Sequence, residues 1–121
     1  MIKIKNQVLN ISLGISLYLF TRWILNKHKT KTNLRKAVVI LNKLGYKIYG
    51  THTCPYCVKQ LSLISGLKEN IPFIDCTLMK EECIKAGISG YPTWVDSTGA
   101  KFPGYKDSQD IINLAKHALS S

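Results

Sequence analysis

The first 36 residues contain no aspartate or glutamate, so the charge of this chain is distributed unevenly. They carry eight lysines and arginines, whereas residues 37–121 carry nine lysines against seven acidic residues. The net charge of +10 therefore belongs mainly to the N-terminal segment. The near-neutral remainder lacks the basic residues interleaved with aromatic ones that are typical of a nucleic-acid surface. We expect no binding to nucleic acid.

Internal repeats and low-complexity tracts are also absent. The 121 residues are enough for one domain of about 85–100 residues and an appendage. We expect an N-terminal membrane anchor with a basic linker at residues 1–32, and a single folded domain at residues 33–121.

Long hydrophobic runs are missing except near the N terminus, where residues 6–21 form a charge-free run of sixteen residues. As a helix this run spans about 24 Å, short of a hydrocarbon core of about 30 Å. Extension to residue 25 reaches about 30 Å if Arg22 snorkels to the interface. We expect a single-pass anchor at residues 6–25 and a membrane location. The alternatives are a cleaved signal peptide, disfavoured by the lack of small residues after Phe20, and an interfacial or ordinary helix.

The remaining hydrophobic pattern predicts an α/β domain with elements in the order αβαβαββα. A polar linker at residues 28–32 precedes a helix that Asn33 caps and Gly45 ends. The later elements are strands or helices predicted at 46–50, 55–66, 71–76, 80–86, 93–95, 100–102 and 108–119.

The most informative motif is C-P-Y-C at residues 54–57, placed between the first strand and a helix. A thiolate attacks disulfides, and a helix N-terminus lowers the pKa of a cysteine placed there. We therefore predict that Cys54 is the attacking thiol and that Cys57, one turn later, resolves the mixed disulfide. Pro55 suits the first helical turn because it lacks an N–H group.

A structural zinc site is the main alternative for the cysteines, since the chain has four of them. The spacing between Cys76 and Cys83 is too long for a typical zinc pair, and the strand-before, helix-after context favours redox chemistry. A purely structural C-x-x-C disulfide gains little loop-closure entropy. We expect no metal and no organic cofactor.

Other residues are predicted to support the reaction. A cis bond at Pro92 would turn the backbone of Tyr91 toward the cysteines, where it could pair with a substrate peptide; an ordinary trans proline is the alternative. His52, if protonated, would favour the thiolate, although it could equally be a solvated loop residue. Tyr56 lies between the two cysteines.

Cys76 and Cys83 form a second candidate pair, one at a strand end and the other on a short helix. We expect a structural disulfide that joins strand to helix. Two free thiols and a second redox pair that relays electrons are the alternatives.

Two strings of residues, K-I-Y-G-T-H-T-C-P-Y-C at 47–57 and A-G-I-S-G-Y-P-T-W at 86–94, resemble the thioredoxin superfamily over about residues 34–119. The second string is similar to the thioredoxin-like domain fused to vitamin K epoxide reductase homologues, which carries an extra cysteine pair. The resemblance implies a thioredoxin-like fold, with a central mixed sheet flanked by helices. It also implies a redox pair at Cys54 and Cys57 and a cis-proline at Pro92.

The resemblance further implies an exported, membrane-tethered domain that exchanges disulfides between substrate proteins and the reductase. The reductase's own membrane portion has no counterpart here, so we expect a separate membrane redox partner besides protein thiols and disulfides. The first strand, 46–50, lacks the buried acid of thioredoxins.

Two other functions stay open. C-P-Y-C is the motif of glutaredoxins, which implies a glutathione-dependent reductase, but the downstream Gly-Gly pair for glutathione is missing. A non-catalytic interaction module with an idle disulfide is the other alternative. The side of the membrane is open too, because the count of positive charges places the domain in the cytosol and the disulfide chemistry favours an oxidising compartment. The direction of the reaction depends on a reduction potential that the sequence does not give.

Overall fold

A computed structural model of the chain describes the backbone of residues 2–120 and the side chains of residues 14–120. The chain divides into two compact units, Met1–Thr32 and Asn33–Ser121. The helices and strands form a mixed α/β arrangement, in the predicted order. They are α1 (Ile2–Lys43), β1 (Lys47–Gly50), α2 (Pro55–Ile64), β2 (Phe73–Asp75), α3 (Lys80–Ala86), β3 (Thr93–Val95), β4 (Lys101–Pro103) and α4 (Ser108–Ser120).

The four strands form one mixed sheet in the order β2-β1-β3-β4. Strand β1 runs parallel to β2, with Gly50 opposite Asp75, and antiparallel to β3, with Tyr49 opposite Thr93. Strand β4 pairs antiparallel with β3 through a hairpin. The sheet therefore has the carboxyl ends of β1 and β2 and the amino end of β3 at one edge.

Each face of the sheet has its own apolar cluster, because successive side chains of a strand point to opposite faces. Ile48 and Trp94 are fully buried in a cluster with apolar residues of α1, α2 and α4. Tyr49 and Val95 lie in the second cluster, together with Cys76, Cys83 and apolar residues around α3. The alternation fixes which residues of β1 face the helix that carries the C-P-Y-C motif.

The prediction of a linker at residues 28–32 that precedes the helix is wrong, because these residues are themselves helical and lie within α1. Asn33 is accordingly an interior position of α1 and does not cap a helix. No glycine or proline interrupts the sequence between Gly14 and Gly45, and lysine is a good helix former. The hydroxyl of Thr30 also donates to the carbonyl of Asn26, one turn earlier, at 3.0 Å, so this polar side chain is paired without leaving the helical conformation.

Strand boundaries also differ from the predicted ones. The strand expected at 71–76 is only Phe73–Asp75, and the hairpin partner expected at 100–102 is Lys101–Pro103. Leu44 falls at helical spacing with the buried Leu34, Val38 and Leu41, yet it is exposed. The chain ends α1 at Lys43 and turns at Gly45, whose φ of 83° a side chain would strain, so Leu44 lies outside the buried stripe.

The transmembrane helix predicted at residues 6–25 is not supported by the described residues. Its first part, residues 6–13, has side chains that lie outside the described part of the chain. Across the described residues, we find no helix with a stretch both apolar enough and long enough to cross a bilayer.

Candidate active site

The edge of the sheet where β1 and β2 end and β3 begins gathers the predicted redox residues. Cys54 follows β1 after three loop residues, and Pro92 comes directly before β3. Since β3 runs antiparallel to β1, the two residues reach the same edge. The sulfur of Cys54 lies 3.9 Å from the carbonyl oxygen of Tyr91 and can donate its S–H to it. Sheet topology therefore brings together residues that are 37 positions apart.

Cys54 is the N-cap residue of α2, with extended backbone angles (φ −78°, ψ 124°) and Pro55 directly after it. Its carbonyl accepts the first helical bond from the N–H of Val58 at 3.0 Å. Its own N–H donates to the hydroxyl of Thr51 at 3.2 Å, which closes the loop that leads out of β1. The cap position leaves the Cys54 thiol partly exposed at the beginning of the helix. Tyr56, next to it, is 62% exposed.

The pKa of Cys54 is lowered below its ordinary value. The largest cause is a hydrogen bond from the backbone N–H of Cys57, with further bonds from the N–H of Tyr56 and the thiol of Cys57. These are the free N–H groups of the first turn of α2, which favour a negative sulfur at this position. Desolvation acts in the opposite direction and is the weaker effect. Cys54 is therefore suited to react as a thiolate.

The pKa of Cys57 is shifted in the opposite direction, above its ordinary value. Burial is the largest cause, since the side chain is fully buried in the first turn of α2. The backbone N–H of Thr51 lowers the pKa in part, whereas Cys54 and the carboxylate of Asp75 raise it. Cys57 therefore keeps its proton where Cys54 loses its own. The two thiols therefore differ in acidity, and the more acidic one is the more exposed.

Gly50, the last residue of β1, makes room for the buried thiol. A Cβ atom built at this position would lie 2.5 Å from the sulfur of Cys57 and 3.2 Å from the ring of Phe73. Any larger residue would displace one of these groups. Gly50 is thus a site residue that the sequence reasoning missed.

Asp75 is a second residue that sequence reasoning missed. It ends β2, opposite Gly50 in the parallel pair, and its carboxylate contributes to the raised pKa of Cys57. One carboxylate oxygen accepts bonds from the N–H and hydroxyl of Thr77, at 2.9 and 2.6 Å. These bonds, the hydroxyl bond first, lower the pKa of Asp75, so it stays ionised. The acidic residue near Cys57 is therefore on β2, whereas β1 contains none.

His52 faces Asp75. Its Nε2 lies 3.6 Å from a carboxylate oxygen of Asp75, and its ring centre lies 4.9 Å from that of Phe73. The His52 side chain is 65% exposed, whereas that of Asp75 is 12% exposed. The structure therefore places the His52 ring against the carboxylate of Asp75. The lowered pKa of Cys54 is explained by hydrogen bonds from Cys57 and Tyr56, and His52 is not among its causes.

The Tyr91–Pro92 peptide bond is cis in the structure. The ring of Pro92 is fully buried, and its carbonyl accepts a bond from the N–H of Gly104 at 2.9 Å. Thr93 donates its hydroxyl to the carbonyl of Gly90 at 2.8 Å, which closes the turn from the other side. Tyr91 remains 44% exposed beside Cys54. The loop thus presents backbone at the reactive sulfur and is held by β3 and the segment after β4.

Cys76 and Cys83 are joined by a disulfide, with their Cα atoms 5.7 Å apart. The bond connects the residue after β2 to α3, and both sulfur-bearing residues are buried in the second apolar cluster. This pairing uses two of the four sulfur donors that the zinc alternative requires. Within the described residues, no three histidine, cysteine or acidic side chains are grouped so that they could hold a metal ion.

Parallel pairing was the one signal that could have indicated Asp75. The carboxyl ends of adjacent parallel strands meet at one edge, so an acid that ends the strand paired with β1 must lie near the C-x-x-C helix. The role of Gly50 has no comparable signal, because it depends on how closely α2 approaches the sheet.

No protein-family model matches this chain. The chain is similar to a protein of Arabidopsis thaliana named thiol-disulfide oxidoreductase LTO1, with 28% identity over 64 residues. The match covers 46% of this chain and 17% of the relative, so it spans about a sixth of that protein's length.

Proposed function

We propose that this chain is a thiol–disulfide oxidoreductase with a thioredoxin-like fold that exchanges disulfides with proteins through Cys54 and Cys57. The observation that carries the proposal is the placement of the two thiols within one helical turn, with Cys54 partly exposed at the N terminus of α2 and Cys57 fully buried behind it. The opposite directions of their pKa shifts agree with this placement. A structural or idle cysteine pair does not require a partly exposed thiolate in front of a buried thiol. The name of the Arabidopsis relative supports the same chemistry, at low identity.

The reaction in the reducing direction has two steps. The thiolate of Cys54 attacks one sulfur of a substrate disulfide, and the other substrate sulfur leaves as a thiolate. Cys57 then attacks the sulfur of Cys54, its proton passes to the departed substrate thiolate, and the second substrate sulfur leaves. Two electrons move to the substrate, and the cysteine pair becomes a disulfide. The reverse sequence delivers a disulfide to a substrate dithiol.

The exposed backbone at Tyr91 supports a polypeptide substrate. Its carbonyl lies 3.9 Å from the reacting sulfur, so a chain that pairs with this loop would bring its own sulfur to Cys54. Pro92 is buried and has no N–H group of its own to pair, so it holds the Tyr91 backbone in position for this contact.

Reduction of insulin by the full chain in the presence of dithiothreitol tests the proposal. We expect turnover by the wild type, loss of at least a hundredfold in Cys54→Ser, and near-wild-type turnover in the matched control Cys76→Ala/Cys83→Ala. Insulin binding without turnover would support the non-catalytic module instead. Turnover of a glutathione mixed disulfide in preference to insulin would support the glutaredoxin-like alternative.

We further propose that residues 6–25 attach the protein to a membrane, where it meets a separate redox partner. Support comes from the charge-free run at residues 6–21 and from the exposed aromatic residues at its end, Tyr18 and Phe20 within the run and Trp23 just after it. Alkaline carbonate extraction of cell membranes tests this attachment. The full chain should stay in the pellet, and its release into the supernatant would count against the anchor.

A further inference from the structure

Gln60 is the one polar side chain of α2 that is fully buried, within the described residues. It lies one turn after Cys57 on the same face of the helix. Burial of an amide is unfavourable unless its donors and acceptor are paired, so a glutamine at this position needs a specific set of partners. The structure shows three such partners, on two other segments of the fold.

The first partner is Trp94 of β3. Its indole N–H donates to Oε1 of Gln60 at 3.2 Å, and the indole is fully buried. Trp94 lies in β3, two residues after Pro92, and it packs in the cluster between the sheet and the helices. This bond therefore connects the helix that carries the cysteines to the strand that directly follows the cis-proline.

The other two partners are the backbone groups of Lys106, in the segment between β4 and α4. The N–H of Lys106 donates to Oε1 of Gln60 at 2.7 Å, and Nε2 of Gln60 donates to the carbonyl of Lys106 at 2.9 Å. The same segment holds the proline loop, because the N–H of Gly104 donates to the carbonyl of Pro92 at 2.9 Å. Lys59 adds a cation–π contact to Tyr105, with Nζ 4.8 Å from the ring centre.

Gln60 thus reaches the Pro92 loop by two routes, through Trp94 and through the segment 104–106. We infer that Gln60 is a positioning residue that fixes the Cys54 thiolate relative to the Tyr91–Pro92 backbone, so that a bound polypeptide disulfide meets the sulfur in reactive geometry. The inference rests on the proposed exchange reaction. Two properties of the site then have separate origins. The acidity of the Cys54 thiol comes from the first turn of α2, and its alignment with the Tyr91–Pro92 backbone comes from Gln60.

The separation gives a direct test. A peptide disulfide must bind along the loop and react at Cys54, whereas iodoacetamide needs only the thiolate. In the full chain, Gln60→Met keeps the length of the side chain and removes all three hydrogen bonds. We expect the second-order rate constant with a peptide disulfide to fall at least tenfold, while the iodoacetamide rate and its pH midpoint stay within twofold and about 0.3 pH units of the wild type.

Gln109→Met is the matched control, because Gln109 is exposed on α4 and its side-chain amide donates to Asn113 of the same helix at 3.1 Å. Both of its rates should stay within twofold of the wild type. Trp94→Phe is the second variant. It removes the indole donor together with part of the buried ring, so the peptide rate should fall three- to tenfold, and adding it to Gln60→Met should cause no more than a further twofold loss. Thermal unfolding followed by circular dichroism shows which variants are folded.

A folded Gln60→Met with a wild-type peptide rate overturns the inference. So does an equal fall of the iodoacetamide rate, since the effect would then lie on the thiolate itself. If Gln60→Met does not fold, an unchanged peptide rate in Trp94→Phe overturns it. A wild type that reacts with iodoacetamide but with no peptide disulfide overturns the proposed function as well, which distinguishes that failure from a failure of Gln60 alone.

Discussion

Cys54 and Cys57 are chemically identical side chains three residues apart, yet their surroundings move their pKa values in opposite directions. Backbone N–H groups at the start of α2 stabilise a negative sulfur on Cys54. Full burial and the nearby carboxylate of Asp75 disfavour a negative sulfur on Cys57. At the scale of single residues, hydrogen bonding and solvation therefore favour the order of steps that we propose, with Cys54 reacting before Cys57.

The opposite pKa shifts of Cys54 and Cys57 predict how the two thiols respond to pH. Because its pKa is lowered, Cys54 keeps its thiolate to a lower pH than an ordinary cysteine, and its alkylation should stay fast there. Cys57 should resist alkylation until a higher pH. Iodoacetamide rates measured against pH by intact-mass spectrometry, in Cys57→Ser and Cys54→Ser respectively, check both. Equal midpoints for the two cysteines would be incompatible with the site described here.

Asp75→Asn should lower the pKa of Cys57. The change removes the negative charge but leaves an oxygen that can accept both bonds from Thr77. Asp96→Asn is the matched control, because Asp96 makes the same kind of turn with Thr98 away from the cysteines. In a Cys54→Ser background, the alkylation midpoint of Cys57 should move down in the first variant only. An unchanged midpoint in Asp75→Asn would show that the charge of Asp75 does not affect the pKa of Cys57.

Gly50→Ala should destabilise the protein by about 1–3 kcal/mol, the usual cost of overpacking a core. The added methyl group would collide with the Cys57 sulfur and the Phe73 ring. Gly90→Ala is the control, since no atom lies within 4 Å of a Cβ at that position. Urea unfolding of the two variants measures the difference. Equal midpoints would mean that α2 can move away from the sheet without cost.

The residues of the site were predictable to different degrees. The C-x-x-C motif and the proline are recognisable in the sequence, because their chemistry depends on residue type and spacing. The isomer of the Tyr91–Pro92 bond is not, since cis and trans differ by less than about 1 kcal/mol in an X-Pro bond and tertiary contacts decide. Gly50 and Gln60 could not be identified either, because their roles depend on the distance between α2, the sheet and the segment after β4.

At the scale of elements, the helices with a clear beginning and end were predicted best. Helix α3 has the predicted bounds, and Gly87 ends it in a left-handed conformation with φ 72°. The predicted break at residues 28–32 is wrong because polar residues without glycine or proline are compatible with a helix. The first two strands were predicted too long, the third has its predicted bounds and the fourth is shifted by one residue. Pairing with neighbouring strands sets these ends, and a single run of residues does not reveal it.

The disulfide between Cys76 and Cys83 belongs to the same scale, because it joins β2 to α3. Cys76→Ala/Cys83→Ala should lower the free energy of unfolding by about 2 kcal/mol, as expected for a short closed loop, with additional loss from the smaller side chains. Urea unfolding under non-reducing conditions measures this loss. Insulin turnover should persist in the folded variant; its disappearance would indicate that this pair relays electrons.

At the scale of the whole molecule, the two units have different physical characters. Residues 1–32 carry six of the seventeen basic side chains and no acid, whereas residues 33–121 carry eleven basic and seven acidic residues and contain both Cys54 and Cys57. Stabilisation of the reduced Cys54 thiolate favours the dithiol form of the pair and so makes the disulfide form a better oxidant. The direction of the exchange in the cell then depends on the compartment that the Asn33–Ser121 unit occupies.

The most direct test of the account is to trap the reaction at its first step. Without its resolving thiol, Cys57→Ser should stop at the mixed disulfide, so incubation of the full chain with a peptide disulfide should add the mass of one peptide. Fragmentation should locate the peptide on Cys54, and dithiothreitol should remove it. Cys54→Ser should give no adduct. An adduct at Cys57, or none with either variant, would contradict the assignment of Cys54 as the attacking thiol.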